Sequence, residues 1–175
     1  MFTPVVYIKG NLISKVSRCL KLELGENTPQ KKKIVLASGV FDLLHYGHIK
    51  FLQEAKKAGG ENAELVVIVA RDATVEKTKG RTPVMGEFQR AALVESLKVV
   101  DRAVLGYWKL SVGDIIDRLK PDVIALGYDQ EEIMNEAQNY IRMKNLNVNI
   151  VKIGKFGDVA RYSSSKIKQK IINKI

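Results

Sequence analysis

The chain contains two histidines, and both fall in one four-residue stretch, His45-Tyr46-Gly47-His48. An apolar run, Ile34-Val35-Leu36-Ala37, and then Gly39 precede it, and an amphipathic stretch from His48 to Ala58 follows. This is the pattern of a strand turning into a helix. Gly39, where the strand ends, lets the backbone turn tightly and a ligand come close. Imidazoles flanking Gly47 at a helix start would stand beside unsatisfied backbone amides and the positive end of the helix dipole, which together make an anion site. Lys50 adds a cation one turn further on. A zinc site would need a third ligand at metal spacing, and none follows. There is no G-x-x-x-x-G-K-[ST] phosphate loop. The chemistry that suits this set is transfer of a phosphorus group. There the protein holds a triphosphate in line with the attacking oxygen and neutralises developing charge, and it needs no nucleophilic side chain.

The elements that would position these groups alternate along the chain. The pattern predicts strands at Ile34–Ala37, Glu64–Ala70, Arg102–Leu105, Asp122–Leu126 and Val148–Ile153. It predicts helices at His48–Ala58, Glu87–Leu97, Ser111–Leu119, Glu131–Lys144 and Ser163–Ile172. Strand and helix in alternation, with a second strand apolar almost throughout, predict an α/β fold: a doubly wound, five-stranded parallel sheet of Rossmann-like type. Ligands of such sheets bind beyond the carboxyl ends of the strands. Ahead of this region Thr3, Pro4 and a Val5, Ile8, Leu12, Val16, Leu20 stripe predict a short helical extension, followed by a polar linker. The expected organisation is an extension with its linker over residues 1–33 and one catalytic domain over residues 34–175.

The composition sets limits on function. A hydrophobic share of 46% and a charged share of 27% are ordinary for a globular protein. One cysteine, Cys19, forbids an intrachain disulfide. No apolar run approaches a membrane span, and the start lacks a signal-peptide layout, so the expected location is the cytoplasm. The net charge is +10, and from Arg142 to Ile175 nine Lys or Arg face one acid, Asp158. Such a field attracts polyanions, whether nucleic acid or a nucleoside triphosphate. Aromatic residues are few and not interleaved with the basic ones, which argues against a non-catalytic nucleic-acid-binding domain.

His45-Tyr46-Gly47-His48, after Gly39-Val40-Phe41-Asp42, resembles the HxGH signature of the cytidylyltransferase-like nucleotidyltransferases. Ser163-Ser164-Ser165-Lys166 resembles the Ser/Thr-rich segment that opens the helix closing that family's site on the triphosphate. The resemblance runs from Ile34 to Ile175. Within the superfamily, Ile68-Val69-Ala70-Arg71-Asp72, Lys79-Gly80-Arg81, Gln89-Arg90 and Ala125-Leu126-Gly127-Tyr128-Asp129-Gln130 are most similar to the archaeal FAD synthases. Those enzymes transfer AMP from ATP to FMN. A cytidylyltransferase acting on a polyol or sugar phosphate, of the glycerol-3-phosphate type, is the alternative.

The resemblance implies roles by position. Gly39, Val40, Phe41, His45, His48, Gly127, Asp129, Gln130 and Ser163 to Ser165 would bind the nucleotide, ATP or CTP. His45, His48, Lys50 and Arg90 would be catalytic, the last two by neutralising or reaching phosphate. Asp42, Asp72 and Arg81 would face the acceptor, FMN or another phosphorylated small molecule. Competing assignments are core packing for Phe41, helix capping for Asp72 and a salt bridge for Arg90. No resident metal is implied, Mg²⁺ arriving with the triphosphate, and the family implies a homodimer. One departure stands out. Glycerol-3-phosphate cytidylyltransferases carry an arginine five residues before the Ser/Thr run, whereas here that position is Asp158, and Arg161 or Lys155 would have to substitute.

Overall fold

A computed structural model describes residues 31–106, 111–156 and 163–174. The expected N-terminal helix, Asp158 and Arg161 lie outside the described residues.

Five strands form one sheet: β1 (Ile34–Gly39), β2 (Glu64–Val69), β3 (Arg102–Leu105), β4 (Val123–Gly127) and β5 (Asn149–Ile153). All neighbours are parallel, in the order β3-β2-β1-β4-β5. The chain therefore builds outward from β1 in one direction, then returns to add β4 on its other side. The reversal opens a crevice at the carboxyl ends of β1 and β4, which is where doubly wound sheets bind ligands. The helices are α1 (Tyr46–Ala58), α2 (Asp72–Lys79), α3 (Glu87–Glu95), α4 (Val112–Leu119), α5 (Glu131–Met143) and α6 (Ser164–Ile172).

The two-residue period of the strands sorts their side chains between two cores. Val35, Ala37, Leu65, Val67, Val69, Val123 and Ala125 pack with Leu52 and Ala55 of α1 and Val94 of α3. Leu36, Val66, Ile68, Ile124 and Leu126 pack with Ile116 of α4 and Ala137 of α5 on the other face. With both faces covered, the strands read as unbroken apolar runs. The doubly wound architecture expected from the sequence is thus present. Helix α2 was not expected. It buries only Val75, so it leaves no apolar stripe to read.

Candidate active site

The site is built around the turn that ends β1. Gly39 allows the Phe41 ring to fold back over the strand end, because a Cβ at Gly39 would sit 2.9 Å from that ring. Phe41 and Leu43 both take left-handed backbone conformations, φ 54° and 48°. These are costly for side chains of this size and persist only where the surroundings enforce them. The enforcing contacts are specific. The Val40 carbonyl accepts from the Arg90 guanidinium. The Asp42 carboxylate accepts from the Val84 and Met85 amides, each at 3.1 Å, and pairs with Lys168 at 2.8 Å. The Asp42 carbonyl accepts from Ser164 Oγ. Burial alone would raise the Asp42 carboxyl pKa, but the Lys168 ammonium and the two amides outweigh it and hold the group below the usual carboxylate range.

The turn delivers the histidines to the start of α1. Their rings stack, with centroids 3.8 Å apart, and the His48 ring meets the edge of Phe41 at 5.3 Å. The His45 amide donates to His48 Nδ1 at 3.4 Å. That bond places the neutral imidazole's proton on Nε2, where it can donate. Burial and the stacked His45 lower the His48 pKa from 6.5 to about 3, Lys79 adding to the effect and Asp42 opposing it. Burial lowers His45 as well. Both rings are therefore neutral at pH 7, and they can offer hydrogen bonds without repelling each other.

The helix ends complete the electrostatics. Helices α2, α3, α4 and α5 each carry an acid in the first turn, whereas α1 and α6 carry none. Acids at a helix start neutralise the positive end of its dipole. The two described helices without them begin at His45, Gly47 and His48 and at Ser163 to Ser165, which line one cleft; the acid-bearing starts of α4 and α5, with Ser111, Val112, Glu131 and Glu132, border the same cleft. That cleft has a volume of about 1180 Å³ and also takes in Val40, Arg71, Thr78, Lys79, Arg81, Tyr128 and Lys155. A single drug-sized ligand fills roughly 300–1,000 Å³, so there is room for two substrates.

Several residues singled out from the sequence stand elsewhere or are engaged differently. Arg90 has 0% exposure, which removes it from phosphate. Its fork donates to the carbonyls of Met85, Val40 and Ala70 and pairs with Asp72 at 2.6 Å, so it ties together the ends of β1, β2 and the loop before α3. Asp72 does not face the cleft. It and Glu87 cap each other's helices, the Glu87 amide donating to Asp72 and the Asp72 amide to Glu87. Lys50 lies off the cleft with its ammonium over the Tyr46 ring, 5.5 Å from the centroid. Gln130 lines the cleft, but its side chain stitches β4 to β1, accepting from the Gly127 amide and donating to the Ser38 carbonyl and hydroxyl. Of the three serines, Ser163 caps α6, Ser164 reaches Asp42, and Ser165 accepts from Arg81 at 3.3 Å. Asp129 and Gly127 line the cleft, and a Cβ at Gly127 would crowd Asp129 at 3.1 Å.

Sequence reasoning missed Lys168, the cation that clasps Asp42, and the cleft-lining Phe51 and Phe156, whereas Lys155, named as one stand-in for the family arginine, does line the cleft. The Lys155 ammonium stacks on Tyr128 at 4.4 Å. For Lys168 a signal existed in its place one turn beyond the serine run.

Residues 36–170 match the family described as cytidylyltransferase-like. The chain belongs to that family. An FAD synthase from Methanothermobacter marburgensis is 47% identical over 139 residues, covering 79% of this chain and 85% of that one. An FAD synthase from Thermococcus sibiricus is 44% identical over 147 residues, 83% and 96% of the two chains. Among solved structures, a Thermoplasma volcanium protein described as a lipopolysaccharide core biosynthesis protein is 45% identical with a TM-score of 0.65, covering 73% of this chain and all (100%) of that one. An Archaeoglobus fulgidus protein described as of unknown function shares the fold at 18% identity and a TM-score of 0.54. Among the described residues no helix is long and apolar enough to cross a membrane.

Proposed function

We propose that this nucleotidyltransferase is an FMN adenylyltransferase. An FMN phosphate oxygen attacks the α-phosphorus of ATP, the new P–O–P link makes FAD, and the bond to the β-phosphate breaks to release pyrophosphate. Identity of 43–47% to eight FAD synthases, over most of both chains, supports the acceptor. The observation that carries the chemistry is the pair of acid-free helix starts, α1 and α6, converging with two neutral imidazoles on one cleft. His45 and His48 donate to the triphosphate, and the α6 amides and Arg81 close on it from the other side. Mg²⁺ arriving with the triphosphate would neutralise charge on it. So strongly hydrated an ion is held chiefly by phosphates and water, and Asp42, the carboxylate acting on His48, is already engaged by Lys168 and two amides.

Residues 34–175 are assigned as the catalytic domain, working in the cytoplasm as a homodimer. Exposed Phe88 and Val84 support self-association. Sedimentation at micromolar concentration tests it, a monomer being the adverse result. The activity test is incubation with FMN, Mg²⁺ and either ATP or CTP. FAD or its cytidine analogue should appear together with pyrophosphate, and failure to form either dinucleotide sinks the reading.

A further inference from the structure

The cleft has two unlike sides. On the α1 side lie the histidines, Phe41, Phe51 and Phe156. Across the strand ends it runs into an apolar pouch between the sheet and helices α4 and α5, walled by Ile68, Leu126, Val112, Ile115 and Ile133. These side chains belong to the second core, yet they border open volume. Interiors are otherwise close-packed, and wall atoms with nothing opposite forfeit dispersion contacts. Ser111, Asn135 and Glu136 form a polar rim.

We infer that this pouch receives the isoalloxazine ring of the acceptor, dimethylbenzene end inward, an assignment that rests on the FMN reading above. Two arguments fix the occupant. In-line displacement puts the attacking oxygen opposite the leaving pyrophosphate. The acid-free start of α1 and its histidines hold that pyrophosphate on the α1 side, so the acceptor enters from the α4–α5 side. Charge points the same way. Helices α4 and α5 begin with Asp114, Glu131 and Glu132, which repel a polyphosphate and leave a neutral ring unopposed. A flavin ring is apolar at one end and hydrogen-bonding at the other, as are the pouch and its rim. Val112, Ile115 and Ile133 become specificity-determining residues.

Steady-state kinetics of FAD formation tests this, varying FMN at saturating ATP and ATP at saturating FMN. Ile115→Asn should raise KM for FMN about tenfold and leave KM for ATP within about twofold, as expected for apolar burial lost on one substrate only. A rise in KM for ATP alone would put adenine in the pouch, and unchanged values would leave it empty; either overturns the inference. Should that variant fold poorly, the wild-type protein with 7,8-didemethyl-FMN decides. Loss of two buried methyl groups should raise KM about tenfold, and equal KM values for the two flavins would overturn the assignment. No FAD from the wild type would remove the FMN reading and this inference together. FAD made with unaltered KM values would remove the inference alone.

Discussion

His48 ties acid–base behaviour to stability. In the unfolded chain its imidazole takes a proton near pH 6.5, whereas in the folded protein it resists until about pH 3. Between those values the unfolded state binds more protons, so acidification through this window weakens the fold. Thermal unfolding should show Tm falling from pH 7 to pH 4, and His48→Gln should flatten that dependence. Asp42 adds its own loss only at lower pH, because its depressed carboxyl stabilises the fold above the ordinary carboxylate range and loses that contribution as it protonates. On activity, His48→Ala should lower kcat by roughly 10²–10³-fold with the fold intact, the scale of losing one transition-state donor. Wild-type turnover would contradict the role. Arg90 separates structure from chemistry. Arg90→Lys cannot span three carbonyls and Asp72, and should cost roughly 2–4 kcal/mol in urea unfolding. A phosphate ligand would instead show lost turnover with unchanged stability.

At the scale of elements, what was legible followed from local pattern. The five strands, the histidine turn and the serine-capped last helix all announce themselves by period and punctuation within a dozen residues. What escaped depends on partners far away. Nothing near Arg90 says that it is buried, because its acceptors Val40 and Ala70 lie 50 and 20 residues off. Gln130 and Ser38, 92 residues apart, are joined only by the β1–β4 pairing. The engagement of Lys168 by Asp42 likewise exists only once α6 has docked. Packing between α4 and α5 gives a prediction of its own. A Cβ on Gly113 would lie 2.4 Å from the Tyr140 ring, so Gly113→Ala must push these helices apart. It should destabilise the protein by about 1–3 kcal/mol, the usual range for overpacking, read as a lower urea midpoint. Because the same helices wall the pouch, KM for the acceptor is the kinetic readout to follow.

At the scale of the molecule, among the described residues the sheet, both cores and the cleft are assembled from residues beyond Lys33. A chain beginning at Lys31 is therefore expected to unfold cooperatively with a Tm close to that of the full chain and to keep its turnover. A molten or inactive product would refute the domain assignment. Charge acts at this scale as well, since a net charge of +10 favours the approach of polyanions from a distance.

The clasp on Asp42 also orders events during synthesis. The histidines are among the first parts of the domain to leave the ribosome, but Ser164, which holds the Asp42 carbonyl, comes 122 residues later. Strand β1 meanwhile waits for Asp122, 88 residues on, to accept from the Ile34 amide. A nascent chain thus carries its histidine turn unbraced until α6 has cleared the exit tunnel, and no copy lacking α6 presents both helix starts to one cleft. Translation itself keeps the two-sided site from forming until α6 has been made.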